Sequence, residues 1–180
     1  DAVPYWNTSN TSLFVEGIDS VSKIGNFSFN KVSPEFFATI GTRILRGRGI
    51  TPDDRGGGQR VMVASDAMVK ALWPGQDAIG KCIKVGSDTM PCTYVVGIAE
   101  NIKAGNLDSD PGFYYYVPYA QVVRTSGLFV RVRGRAQDMQ ETLRRRLQAE
   151  MPGMSYIVAR PFSDVIGPQK RSWNLGATMF

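Results

Sequence analysis

The chain has 180 residues, 21 Lys and Arg against 16 Asp and Glu, two cysteines and no histidine. With 43% hydrophobic residues and a mean hydropathy of −0.17 it is globular, and no run of 18 apolar residues is present to cross a bilayer. The missing imidazole excludes Ser-His-Asp and Cys-His catalysis, histidine-bearing zinc sites and imidazole pH switches within this chain.

The length suits one domain or two small lobes. The formal charge of +5 and a pI near 9.4 favour anionic surroundings: nucleic acid, an anionic membrane surface, an acidic partner, or simply water around a mildly basic domain. Asp1 begins without a Met, a basic stretch or an apolar leader, so no signal peptide is read here. At the other end Arg171 and Trp173 precede small and apolar residues up to Phe180, as at the entry of a helix into a bilayer. Both ends read as cut from something longer, with 171–180 expected to begin a transmembrane helix.

In chain order, 11–18 and 25–32 read as strands, the second with Phe27 and Phe29 on one face. Ser33 and Pro34 are expected to start a short helix with Phe36, Phe37 and Ile40 as its buried stripe and Gly41 as its stop. Residues 43–50 read as extended, and 51–59, with Asp53, Asp54 and three successive glycines, as a mobile, solvated loop. Val61 to Ala64 reads as a strand, and Ser65 as the cap of a helix carrying Met68 and Leu72. Strands at 80–86 and 92–99 flank a turn, and a polar loop at 100–112 leads into the aromatic run Phe113 to Tyr119.

From 127 onward Leu128, Val130 and Val132 are expected on one face of a strand and Arg131 and Arg133 on the other. Residues 136–150 form the clearest helix, with Met139, Leu143 and Leu147 at four-residue spacing and Arg144 to Arg146 late in it. Met154 to Arg160 reads as a strand and 162–171 as a short helix. Strands and helices in this order, with antiparallel neighbours, indicate an α+β fold.

Few residues ask for chemistry. Cys82 and Cys92 lie equidistant from a turn near Ser87, so they face each other within disulfide reach and suit an oxidising compartment; two buried thiols are the alternative. Asp108-Ser109-Asp110 opens like a calcium loop but lacks the further acidic ligands, and no metal is expected. The triple glycine at 56–58 lacks a following Lys and Ser or Thr, so it is no phosphate loop. Arginines at 124, 131, 133, 135 and 144–146 read as a solvated face, without the interleaved aromatics of a nucleic-acid surface. Tyr114, Tyr116 and Tyr119, with Arg131 and Arg133, are the candidate interaction surface, the aromatic run standing beside a polar loop as in a module that reads a peptide, lipid or glycan.

Several segments together resemble a known family. Val32-Ser33-Pro34-Glu35-Phe36-Phe37-Ala38-Thr39-Ile40-Gly41 precedes Leu45-Arg46-Gly47-Arg48; then follow Leu72-Trp73-Pro74-Gly75-Gln76-Asp77-Ala78-Ile79-Gly80-Lys81, Tyr94-Val95-Val96-Gly97-Ile98-Ala99 and Tyr116-Val117-Pro118-Tyr119. Their order is similar to the MacB-like periplasmic core domain of FtsX/MacB-type ABC-transporter permeases, and the cysteine hairpin resembles the tandem-duplicated members of that group. The resemblance covers about residues 25–175. It implies a two-lobed periplasmic domain, with residues 1–48 and 122–170 in a porter-like lobe and 49–121 in an inserted lobe. It further implies no catalytic residue, no cofactor and no metal, and a role in relaying motion from the membrane helices. The implied partners are those helices, a cytoplasmic ATPase acting through them, a periplasmic protein or lipid, and a second copy in the full transporter, with no nucleic acid. The Asn-, Thr- and Ser-rich first residues do not match the family.

Overall fold

The computed structural model describes residues 9–102, 112–122, 127–151, 153 and 156–165. The chain divides into two compact units, residues 1–129 and 130–180.

The first unit is built on one eight-stranded mixed sheet in the order β1 (Ser9–Asn10), β3 (Phe27–Val32), β8 (Phe113–Pro118), β5 (Val61–Ser65), β7 (Cys92–Ala99), β6 (Cys82–Val85) and β2 (Leu13–Phe14). The eighth strand, β4 (Ile44–Gly47), pairs antiparallel with the far end of β7. β3 runs parallel to β8 and β5 parallel to β7, while β5 and β8 are antiparallel. The fold is α+β, as its sequence pattern indicates, with two short helices in this unit, α1 (Phe36–Ile40) and α2 (Asp66–Leu72).

Both faces of the central strands are buried, and in β5 and β8 alternation assigns each side chain to its face. Met62 and Ala64 of β5 and Tyr115 and Val117 of β8 point into one cluster, which α2 completes with Met68, Val69 and Leu72. Val61 and Val63, with Tyr114 and Tyr116, point into the other, which Phe36 and Phe37 of α1 cover. Each of these rings and branched side chains stabilises the fold by roughly 1.5–3 kcal/mol through burial. Ser65 caps α2 as expected, accepting from the Met68 amide, and its hydroxyl also accepts from the Tyr114 amide, so one oxygen ties helix start to strand.

The helix expected from Ser33 starts later. Glu35 holds the cap position without a side-chain bond, and Ser33 contributes its carbonyl to the Phe36 amide instead. Gly41 does end α1, in the left-handed conformation at φ 82°. Of the strand expected at 11–18, only Leu13 and Phe14 join the ladder, because Gly17 turns the chain and bridges Val15 back to Ile18.

The loop expected to be solvated is anchored instead. Asp54 is 8% exposed and accepts from both terminal nitrogens of Arg48 at 2.7 and 2.8 Å. It also accepts from the amide and hydroxyl of Thr51. The Arg48 guanidinium bound to it holds its carboxyl below the ordinary range against the opposing effect of burial. Arg48 belongs to a row that braces β4: Arg43 pairs with Glu100 after β7, and Arg46 with Asp77 before β6.

β4 crosses β7 so closely that neither strand tolerates a side chain. Gly47 and Gly97 are register partners. A Cβ on Gly97 would stand 1.9 Å from the Arg48 carbonyl oxygen, and one on Gly47 2.3 Å from that of Val96. Gly47 also has φ 70°, which disfavours any L side chain.

Cys82 and Cys92 form the expected disulfide, with Cα atoms 5.2 Å apart. They are not directly opposed: Cys82 faces Tyr94 and Cys92 faces Lys84, so the bond runs diagonally across the β6–β7 pair. The boundary expected at 48/49 follows β4 directly, and the sheet joins strands from either side of it, β3 to β8 and β4 to β7.

In the second unit, α3 (Ala136–Glu150) spans the expected residues, although none of its side chains is fully buried. Arg144 and Arg145 pair with Glu141 one turn earlier rather than capping the last turn. Gln148 accepts from the Ile157 amide and Gln140 donates to the Ala159 carbonyl, which fastens the segment 156–160 along the helix. The described residues of 154–160 form no ladder strand, and a helical turn at 162–165 is the described part of the helix expected at 162–171. No described helix is long and apolar enough to cross a membrane, and the segment 171–180 lies outside the described residues.

Three measurements check this construction. Gly97→Ala loses at least about 3 kcal/mol of folding stability in denaturant titration, because the obstacle is backbone rather than a movable side chain. Asp54, whose carboxyl is held low, contributes stability above the ordinary carboxylate pKa that is lost as pH falls through its folded value. Asp54→Asn therefore costs about 2 kcal/mol at neutral pH and weakens the fall in melting temperature between about pH 5 and pH 2, the other paired carboxylates supplying the remainder. Reduction of Cys82–Cys92 lowers stability by about 3 kcal/mol in the chain-entropy account of a ten-residue separation.

Candidate functional site

The aromatic run supplies structure before it supplies a surface. Tyr114 and Tyr116 are buried, at 7% and 0% exposure, so they are removed from the candidate interaction surface. Tyr116 meets the rings of Phe36 and Phe37 at 5.7 and 5.0 Å. Tyr115, on the opposite face, stacks on Phe29 at 5.5 Å. Burial raises the ionisation of the Tyr115 and Tyr116 phenols far above the ordinary range, so both stay neutral. Among the described residues, the rings of Tyr114, Tyr115 and Tyr116 fill the two clusters rather than lining an open surface. The physical reason is that both faces of β8 are covered, one by the cluster that α2 completes and the other by Phe36 and Phe37 of α1.

Tyr119 follows β8 in a 3-10 turn and is 47% exposed. It belongs to the first unit, while the exposed Arg131 and Arg133 belong to the second. The two arginines do not sit on a ladder strand. Among the described residues, 127–133 belong to no strand, and Leu128, at 69%, is exposed where a buried face was expected. The inward residue is Phe129, which meets Phe36 edge-on at 6.0 Å.

Several carboxylates among the described residues are held in ion pairs. Asp54, Asp77, Glu100 and Glu141 are each bound to an arginine, and hydrogen bonds from those arginines or from backbone amides lower their pKa. A carboxylate stabilised in this way is a poor proton donor at neutral pH. Among the described residues, no group of three or more Asp, Glu or Cys converges as a metal site. The Asp108–Asp110 segment lies outside the described residues.

The concave feature that sequence reading did not anticipate lies at the N-terminal edge. A groove of about 400 Å³ is lined by residues 10–14, 18–22 and 25–27. Its walls mix Asn10, Ser12 and Asp19 with Leu13, Val21 and Phe27. No motif announces it, because three separate stretches create it only once the sheet has curled.

The sequence model of the MacB-like periplasmic core domain matches residues 2–150. A curated relative, the probable syringafactin export ATP-binding/permease protein SyfD of Pseudomonas syringae pv. syringae (strain B728a), is 34% identical over 89 residues, covering 49% of this chain and 13% of its own length. Among solved structures, the periplasmic region of MacB from Actinobacillus actinomycetemcomitans superposes with a TM-score of 0.59 at 18% identity, covering 80% of this chain and 64% of that one. A domain of a putative permease from Porphyromonas gingivalis gives 0.54 at 14% identity, covering 82% and 63%. The chain thus spans a small part of its curated relative and just under two thirds of these structures, which share its fold. With five-sixths of its length matched, the chain belongs to the MacB-like periplasmic core domain family, the periplasmic domain of MacB/FtsX-type ABC-transporter permeases.

Proposed function

We propose that this domain is a non-catalytic mechanical part of such a permease, at the periplasmic face of the bacterial inner membrane. It carries displacement from membrane helices into the periplasm and docks substrate or a protein or lipid partner there. The bracing of the first unit supports this reading. A sheet whose central strands are buried on both faces, a diagonal disulfide and three arginines tying β4 to separate loops make a body that moves as one piece. Displacement applied to such a body is passed on rather than absorbed. The relative's printed role as an export ATP-binding/permease protein supports an ATPase and membrane helices as the driving partners, with a second copy in the assembled transporter.

Docking falls to the exposed members of the candidate surface, Tyr119 in the first unit and Arg131 and Arg133 in the second. The lobe division, residues 1–48 with 122–170 against 49–121, belongs to the same proposal. The shared sheet of residues 9–118 favours moving its boundary toward residue 129.

In the full transporter, reconstituted in vesicles, Tyr119→Ala with Arg131→Glu and Arg133→Glu lowers transport about tenfold while ATP hydrolysis by the complex continues. Unchanged transport removes these residues from docking. ATP binding by the isolated chain in equilibrium dialysis contradicts the non-catalytic role.

A further inference from the structure

The two outermost strands of the sheet, β1 and β2, are consecutive in the chain. Only Thr11 and Ser12 separate Asn10 from Leu13, a span of three Cα steps and at most about 11 Å. Yet Asn10 pairs with Ser28 of β3 and Leu13 with Val85 of β6, at opposite ends of the strand order. The sheet is therefore curled until its two ends approach each other, and the single segment Ser9–Phe14 bridges from β3 to β6.

The bridge is lightly held. It pairs with two residues of β3 and two of β6. Ser28 donates its hydroxyl to the Asn10 side-chain carbonyl at 2.8 Å, and the Gly86 amide donates to the Ser12 carbonyl at 2.8 Å. Leu13 alone of residues 10–14 is buried, and Phe14 on the other face is 38% exposed. By contrast, all five residues of β5 are buried. Opening free energy follows buried apolar contact, so this segment stands far below the central strands. The groove already present along it shows that packing beneath the bridge is incomplete.

We propose that Ser9–Phe14 is a clasp that opens as a unit while the rest of the sheet stays folded. Closed, it covers the paired edges of β3 and β6. Open, it presents both edges and the floor of the groove. The clasp thus makes closure of the curled sheet a separate, reversible step.

Native-state hydrogen exchange on the 180-residue chain tests this without any substitution. The amides of residues 10–14, together with that of Gly86, exchange at least about 100-fold faster than those of β5 and β7, and at a common opening free energy. Equal protection of clasp and central strands overturns the proposal, as does exchange of these amides at unrelated rates. A second measurement uses Asn10→Cys with Ser28→Cys, which joins register partners already in side-chain contact. With both disulfides formed, Gly86 exchange in this variant slows at least about tenfold relative to the unsubstituted chain with Cys82–Cys92 intact. No difference between the two proteins means that the seam does not open through the clasp.

Discussion

The parallel pairing of β3 with β8 decides most of what this molecule is. It lays the strand Phe27–Val32 beside the aromatic strand Phe113–Pro118 over six register pairs, across more than eighty residues of intervening chain. β8 then pairs on its other edge with β5, and the clusters completed by α2 and α1 enclose its side chains on the two faces. Stacked rings mark the line of contact, Phe27 on Phe113 and Phe29 on Tyr115. Aromatic contacts of this kind add about 0.5–1.5 kcal/mol each beyond their burial. A contact so distant in sequence is costly to close, and the paired aromatics and the two apolar clusters on either side of β8 are what offset that cost.

Everything outside this centre serves to hold the periphery in place. β4 reaches β7 through a crossing that admits only glycine at Gly47 and Gly97, and its arginines then fix the neighbouring loops by ion pairs. The exposed pairs among them contribute little individually. Arg48 with Asp54 differs, because the carboxylate is buried and fully hydrogen-bonded, so the loop at 51–59 is part of the folded body. The hairpin of β6 and β7 is secured covalently instead. A domain stiffened by such different means is well suited to pass on a force, and the least stiff place in it is the seam bridged by residues 9–14.

The parts of the fold that were legible in the sequence are those governed by near neighbours. Period-two alternation located β3, a short apolar run located β5, and a turn signal placed β6 and β7 on either side of it; Ser65 and Gly41 marked a helix start and a helix end; four-residue spacing located α3; and the spacing around a turn paired Cys82 with Cys92. The failures share a cause as well. Leu128, Val130 and Val132 alternate like a strand, but no described strand pairs with them, and a strand is defined by its partner rather than by its own pattern. Tyr114 and Tyr116 looked available because a tyrosine-rich run is chemically ambiguous, and only the packing of α1 and its neighbours over their face of the sheet removes them from water. Asp54 looked solvated because sequence shows no sign that Arg48 folds back over it.

By itself, the sequence determined the fold class, the exclusion of imidazole chemistry, two cysteines placed for a clamp across a turn and the resemblance to a transporter-domain family, since composition, local periodicity and ordered motifs carry these. Tertiary structure alone decided which aromatic residues are core and which are surface, which carboxylates are held by arginines, and that the two ends of the sheet meet across Thr11 and Ser12. Those outcomes depend on contacts between residues far apart in the chain, whose strength comes from the burial and pairing that only the assembled sheet provides.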